Sequence, residues 1–125
     1  MLFRSTAGRP ELQVAEAALQ GGVRVIQWRD KHREKGLQLP VVRQLKALCE
    51  RHDALLFMND HPDLGMAAPA DGVHVGQKDL PLAEVRRMTP ADFLIGTSNA
   101  TIDEALASDA GTADYVAVEI GRAHV

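Results

Sequence analysis

The chain has 125 residues, 46% hydrophobic and 25% charged, the proportions of an ordinary globular domain, and its length suggests at most one. The formal net charge is -3 with both signs interspersed, which excludes the clustered Lys and Arg footprint of a nucleic-acid binder. No apolar run approaches the roughly 20 residues of a membrane helix, and Met1-Leu2-Phe3-Arg4 leads into no apolar signal segment. The single cysteine, Cys49, has no intrachain disulfide partner and sits on the apolar side of a predicted helix. That is the usage of a small buried hydrophobe in a cytoplasmic protein.

Short apolar runs alternate with amphipathic stretches along the chain. Pro10 opens a predicted helix carrying Leu12, Ala15, Ala18 and Leu19 on one face, and Gly21-Gly22 ends it. Val25-Ile26 marks a strand, and Pro40 is expected to open the next helix, with Val41, Val42, Leu45, Leu48 and Cys49. Ala54 to Met58 is a second strand, and a short helical turn is predicted from Asp63 to Ala68. Gly72 to Val75 is a third strand, followed by a helix opened by Pro81 with Leu82, Val85 and Met88. Phe93 to Gly96 is a fourth strand, and Thr101-Ile102-Asp103-Glu104 is a capping box before a last helix. Asp114 to Val118 is the fifth strand. This rhythm predicts an α/β fold of βαβ units with a parallel sheet. It does not separate a barrel from an open doubly wound sheet.

Polar residues fall repeatedly at the ends of these strands. Gln27, Arg29 and Lys31 follow the first at a spacing of two, which places them on one side of an extended chain. Asn59-Asp60 follows the second, Gln77 and Asp79 the third, and Ser98-Asn99 the fourth. In parallel barrels and open α/β sheets alike, ligands bind outside the carboxyl ends of the strands. Arg29 and Lys31 suit a phosphate, and two carboxylates with phosphate oxygens suit Mg2+. Each has a plainer reading: a solvated loop at Arg29-Asp30-Lys31, a turn at Asn59-Asp60, a helix cap at Asp79, Ser98 or Asn99, a satisfied core histidine at His74. Trp28 is expected to face the other way and pack under helices.

Taken together these segments resemble the thiamine-phosphate synthase family, within the superfamily it shares with thiazole tautomerases. Gln27-Trp28-Arg29-Asp30-Lys31 is similar to its Gln-x-Arg-x-Lys signature, and Leu56-Phe57-Met58-Asn59-Asp60 to its Asn-Asp strand end. The most specific match is Ala70-Asp71-Gly72-Val73-His74-Val75-Gly76-Gln77-Lys78-Asp79-Leu80-Pro81. Ile95-Gly96-Thr97-Ser98-Asn99 looks like the Gly-x-Ser segment, with Asn99-Ala100 where the family usually has Thr-His. The resemblance implies a partial TIM (β/α) barrel of about five parallel strands with intervening helices, lacking the first and last strands. It implies a transferase of thiamine biosynthesis that joins hydroxymethylpyrimidine pyrophosphate to a thiazole phosphate, releasing pyrophosphate, with Mg2+. Gln27, Arg29, Lys31, Asn59 and Ser98 would bind substrate, Asp60 and Asp79 the metal, and Ser98 would lie near the reacting carbon.

The same resemblance divides the chain into a barrel domain over 1–118 and a tail over 119–125, Glu119-Ile120-Gly121-Arg122-Ala123-His124-Val125, expected to be non-native. No convincing first strand is visible in residues 1–10. The partners implied are small molecules, with no nucleic acid and no membrane, and a homo-oligomeric parent is among the arrangements admitted. A thiazole tautomerase-like isomerase or a non-catalytic phosphate-binding barrel are the alternatives. The joint presence of Arg29, Lys31, Asp60 and Asp79 argues against the isomerase, which has no evident need for a metal-pyrophosphate clamp.

Overall fold

The structure is a computed structural model, and it describes residues 2–4, 11–108 and 112–118. The expected helix start at Pro10 and the expected non-native tail over 119–125 lie outside the described residues.

Six strands form one parallel sheet: β1 (Leu2–Arg4), β2 (Val25–Arg29), β3 (Leu55–Asn59), β4 (Gly72–Val75), β5 (Leu94–Asn99) and β6 (Tyr115–Val118). Between them run α1 (Glu11–Gln20), α2 (Lys35–Arg51), α3 (Pro62–Ala67), α4 (Leu82–Met88) and α5 (Ile102–Ser108). The expectation of a missing first strand is corrected by β1, which pairs in parallel with β2, Leu2 opposite Gln27 and Arg4 opposite Arg29. Three residues are too few to show a hydrophobic period, so only the pairing reveals them. Strand order follows chain order without reversal. With right-handed crossovers, an unreversed order puts every helix on the same face of the sheet. This is the winding of a barrel, not of a doubly wound sheet, and among the described residues the barrel is not closed.

One face of the sheet is therefore covered and the other open. Trp28, Met58, Val73 and Ile95 stand in register across β2 to β5 on the covered face and are all but fully buried. With Ile26, Leu56 and Val75 they pack against Ala15, Leu19, Val42, Leu45, Leu48, Cys49 and Val85 of the helices. Val25 and Leu55, on the other face, remain about two-fifths exposed. Trp28 thus lies under the helices, as its alternation with Gln27 and Arg29 predicts. The amino-terminal edge is held by a repeated device. Asp71 accepts the Leu56 N–H at 2.8 Å and pairs with Lys46, and Asp114 accepts the Ile95 N–H at 2.8 Å and pairs with Arg86.

Helix ends follow the sequence signals with one exception. Gly22 takes a positive φ of 105° beyond α1, and the Val23 N–H closes the end on the Ala18 carbonyl. Thr101 Oγ1 accepts the Glu104 N–H while Glu104 Oε1 accepts the Thr101 N–H, a complete capping box. The exception is α2, which begins at Lys35 and carries Pro40 inside it. Tertiary contacts override the proline here. Gln38 is buried, accepts the Trp28 Nε1–H at 2.7 Å, and donates from Nε2 to the carbonyls of Arg33 at 2.6 Å and Asp30 at 3.3 Å.

Asp30 completes this knot. Its side chain is 1% exposed, accepts the N–H groups of His32 and Arg33, and pairs with Arg33 Nε at 3.0 Å. Burial favours the neutral acid, but the two backbone donors and the Arg33 charge outweigh it and hold Asp30 below the usual aspartate range. A depressed folded-state pKa means a contribution that is complete above the unfolded value and lost as pH falls through the folded one. Asp30→Ala is expected to cost about 2–4 kcal/mol at neutral pH, by leaving two backbone donors and a guanidinium short of their acceptor. Urea denaturation at pH 7 and at acid pH checks this: the variant and parent midpoints should converge as pH falls.

Candidate functional site

The carboxyl ends of β2 to β5 gather the polar residues singled out above. The strands run further than the sequence suggested. Gln27 and Arg29 lie within β2, Asn59 ends β3, and Ser98 and Asn99 belong to β5. Alternation then sorts them by face. Gln27, Arg29, Asn59, His74 and Ser98 are each half-buried on the open face, and Lys31 is exposed just beyond β2. Asn99 points the other way and is buried, its Nδ2 donating to the Ala117 carbonyl at 3.2 Å and its Oδ1 accepting from Gln77 Nε2 at 2.7 Å. Asn99 therefore joins three loops and strands rather than capping α5, a task that Thr101 performs.

The two carboxylates proposed for a metal meet. Asp60 follows β3 in the left-handed region, φ 68°, with its N–H on the His74 carbonyl at 2.8 Å. Asp tolerates that conformation better than most residues, and such backbone is concentrated at functional sites. Asp79 does not cap α4, whose N-cap is Pro81; its Oδ2 accepts the Gly76 N–H at 2.6 Å. Its carboxyl is within hydrogen-bonding reach of Asp60. Burial first, then the hydrogen bond and negative charge of Asp79, hold Asp60 above the usual carboxylate range; His61 and Arg29 pull it the other way. Arg29 is thus close enough for its charge to bear on Asp60.

Sequence reasoning missed a second cluster. His74 joins Ser98 Oγ through Nε2 and the Tyr115 hydroxyl through Nδ1, the latter at 2.7 Å. A histidine within an apolar strand suggests a core position, but His74 falls on the open-face register of β4, opposite Asn59 and Gly96. Gln38 was also missed, although it falls in the apolar stripe of α2 at i, i+4 and i+7 with Val42 and Leu45. A cleft of about 310 Å³ opens beside Asp79 on the helix side, between Leu82, Thr97 and Glu104. Arg29, Asp60 and Ser98 are not among its lining residues. Among the described residues no three His, Cys, Asp or Glu side chains form a cation cage. A cation here would need ligand oxygens beside Asp60 and Asp79.

A singly wound parallel sheet with its polar side chains at the carboxyl ends of the strands defines a (β/α)-barrel protein. Comparison with known proteins narrows that class. The family described as thiamine monophosphate synthase matches residues 3–120, and the chain belongs to it. The thiamine-phosphate synthase of Methanospirillum hungatei is 40% identical over 111 residues, 89% of this chain and 54% of that protein. That of Shouchella clausii is 45% identical over 111 residues, again 89% of this chain and 53% of the other. The solved thiamine phosphate pyrophosphorylase of Pyrococcus furiosus superposes with a TM-score of 0.87 at 30% identity, covering 94% of this chain and 57% of that one. The chain spans about half the length of these relatives. No described helix is long and apolar enough to cross a membrane.

Asp60→Asn tests the electrostatics of the carboxylate pair. An acid with a raised folded-state pKa destabilises the fold once ionised, and that cost disappears as pH falls through the raised value. The variant is expected to melt above the parent at pH 8, and the difference should vanish as the pH is lowered. Thermal melts across pH 4 to 8 without divalent cations would expose the error if the parent were the more stable at pH 8.

Proposed function

We propose that this chain supplies the pyrimidine pyrophosphate half of a thiamine-phosphate synthase, a magnesium-dependent cytoplasmic transferase that works on small molecules. The observation that carries this reading is the meeting of Asp60 and Asp79, from two different strand ends, beside Arg29. Two carboxylates within hydrogen-bonding reach, one held above its usual range, are short of positive charge. A divalent cation fits that shortage, with phosphate oxygens and water completing its shell. Gln27, Arg29, Lys31, Asn59 and Ser98 would hold the substrate, and Asp60 and Asp79 the Mg2+.

In the proposed reaction the bond from the pyrimidine methylene carbon to pyrophosphate breaks, and a bond from that carbon to the thiazole nitrogen forms. Mg2+, when bound, supplies positive charge against the departing pyrophosphate. Arg29 adds a planar fork and Lys31 a compact charge for the same oxygens. Asn59 and Gln27, on the open face, orient the aminopyrimidine. Ser98 stands where the leaving oxygen departs. The electron-rich aminopyrimidine carries the positive charge as the bond breaks, so no enzyme nucleophile is required. An isomerase would need only part of this arrangement, and the Asp60–Asp79 pair favours the synthase over it.

The experiment is calorimetric titration of the 125-residue chain with inorganic pyrophosphate, with and without Mg2+. Binding is expected only with the cation, and Asp79→Ala should weaken it by about tenfold or more, the loss of a charge-assisted contact. Equal pyrophosphate affinity in the variant, or cation-independent binding, contradicts the metal assignment.

A further inference from the structure

One row of residues crosses β4, β5 and β6 on the open face in register: His74, Gly96, Tyr115. The Tyr115 hydroxyl reaches His74 Nδ1 at 2.7 Å although β5 runs between their strands. Gly96 makes that reach possible. A Cβ at this position would sit 1.9 Å from Tyr115 Cζ and 2.3 Å from its hydroxyl oxygen. The phenol ring lies in the slot the glycine leaves, and Phe57 supports it edge-on with centroids 5.7 Å apart. The other imidazole nitrogen, Nε2, bonds to Ser98 Oγ on β5. A chain of three side chains from three strands therefore ends on the residue nearest the proposed chemistry.

A neutral imidazole carries one N–H, so its two hydrogen bonds share a direction. In one arrangement Tyr115 donates to Nδ1, the Nε2–H donates to Ser98 Oγ, and the Ser98 O–H is left to point at the open face. In the other, Ser98 donates to Nε2 and the Nδ1–H donates to Tyr115, which removes the serine proton from the site. We propose that Tyr115 and His74 are positioning residues that hold Ser98 as a hydrogen-bond donor to an anionic phosphate oxygen of the ligand. A phenol is a better donor and a poorer acceptor than an alkyl alcohol, so Tyr115 sets the direction of the chain. A phenol keeps its proton at neutral pH, and partial burial raises the Tyr115 pKa further. Arg29 and Lys31 at the same edge make an anion the fitting acceptor. The identity of that anion rests on the pyrophosphate reading above; the direction of the chain does not.

Nitrogen-15 NMR of the histidine side chains reads the direction without any ligand. His74, assigned by the signal lost in His74→Gln, or by the signal that Ser98→Ala shifts if the first variant does not fold, is expected as the Nε2–H tautomer at neutral pH. An Nδ1–H tautomer, an imidazolium or an average of both tautomers overturns the proposal. Tyr115→Phe keeps the ring and its contact with Phe57 but removes the donor, and it should move His74 toward the Nδ1–H form. Gly96→Ala should do the same without replacing any hydrogen-bonding side chain, because its Cβ displaces the Tyr115 ring from the slot. Unchanged nitrogen shifts in both variants overturn the relay. Magnesium pyrophosphate should bind Tyr115→Phe about three- to tenfold more weakly than the parent, the span of one hydrogen bond. Equal affinity with the expected tautomer overturns the role of Ser98 as donor while leaving the pyrophosphate site intact. Failure of the parent to bind pyrophosphate instead overturns the pyrophosphate reading, and with it the acceptor named here.

Discussion

The described helices all lie against the same face of the sheet, and that one-sidedness decides what each strand residue does. Strand order never reverses, so each right-handed crossover returns to the same side. Alternation along a strand then has two outcomes only. Ile26 and Trp28 go beneath α1 and α2 into the core, while Gln27 and Arg29 go to the open face. The same division separates Met58 from Asn59, and Thr97 from Ser98. A sheet covered on both faces would have required apolar residues at all these positions, and would have had no place for the polar set.

Buried polar groups fix the loop that carries the cations. Asp30 stands between Arg29 and Lys31 in sequence but faces the helices, where it holds the turn through the N–H groups of His32 and Arg33. Gln38 ties the same turn to Trp28 and so to the hydrophobic core. Arg33 closes it with an ion pair to Glu11 and a position 5.7 Å over the Trp28 ring. Arg29 and Lys31 are thereby presented by a braced turn, which would limit the entropy lost on binding the anion proposed for them. In the charged tripeptide the middle residue, Asp30, is the structural one, and its two neighbours are those proposed for the site.

Two glycines on the open face make room that a side chain would fill. A Cβ on Gly72 would come within 2.3 Å of the Leu94 carbonyl oxygen and 2.7 Å of the Phe57 ring, and one on Gly96 would enter the ring of Tyr115. The two rings meet edge to face, their planes 75° apart. Neither glycine takes a positive φ, so the space they leave is what the structure uses. At Gly22 the backbone freedom itself is used, to turn the chain out of α1.

Much of this was legible in the residues. The five longer strands, the capping box at Thr101, the inward turn of Trp28 and the gathering of Arg29, Asp60, Asp79 and Ser98 at one edge follow from apolar period, turn chemistry and strand-end position, which are local properties. The three-residue β1 was not legible, because a strand that short is defined by its partner. Pro40 misled about the start of α2, because the buried bonds of Gln38 outweigh a local helix signal. The closeness of Asp60 to Asp79, and the reach of Tyr115 over Gly96 to His74, depend on how neighbouring strands are registered. Register is set by packing between segments far apart in the chain, and so only the tertiary structure could decide them.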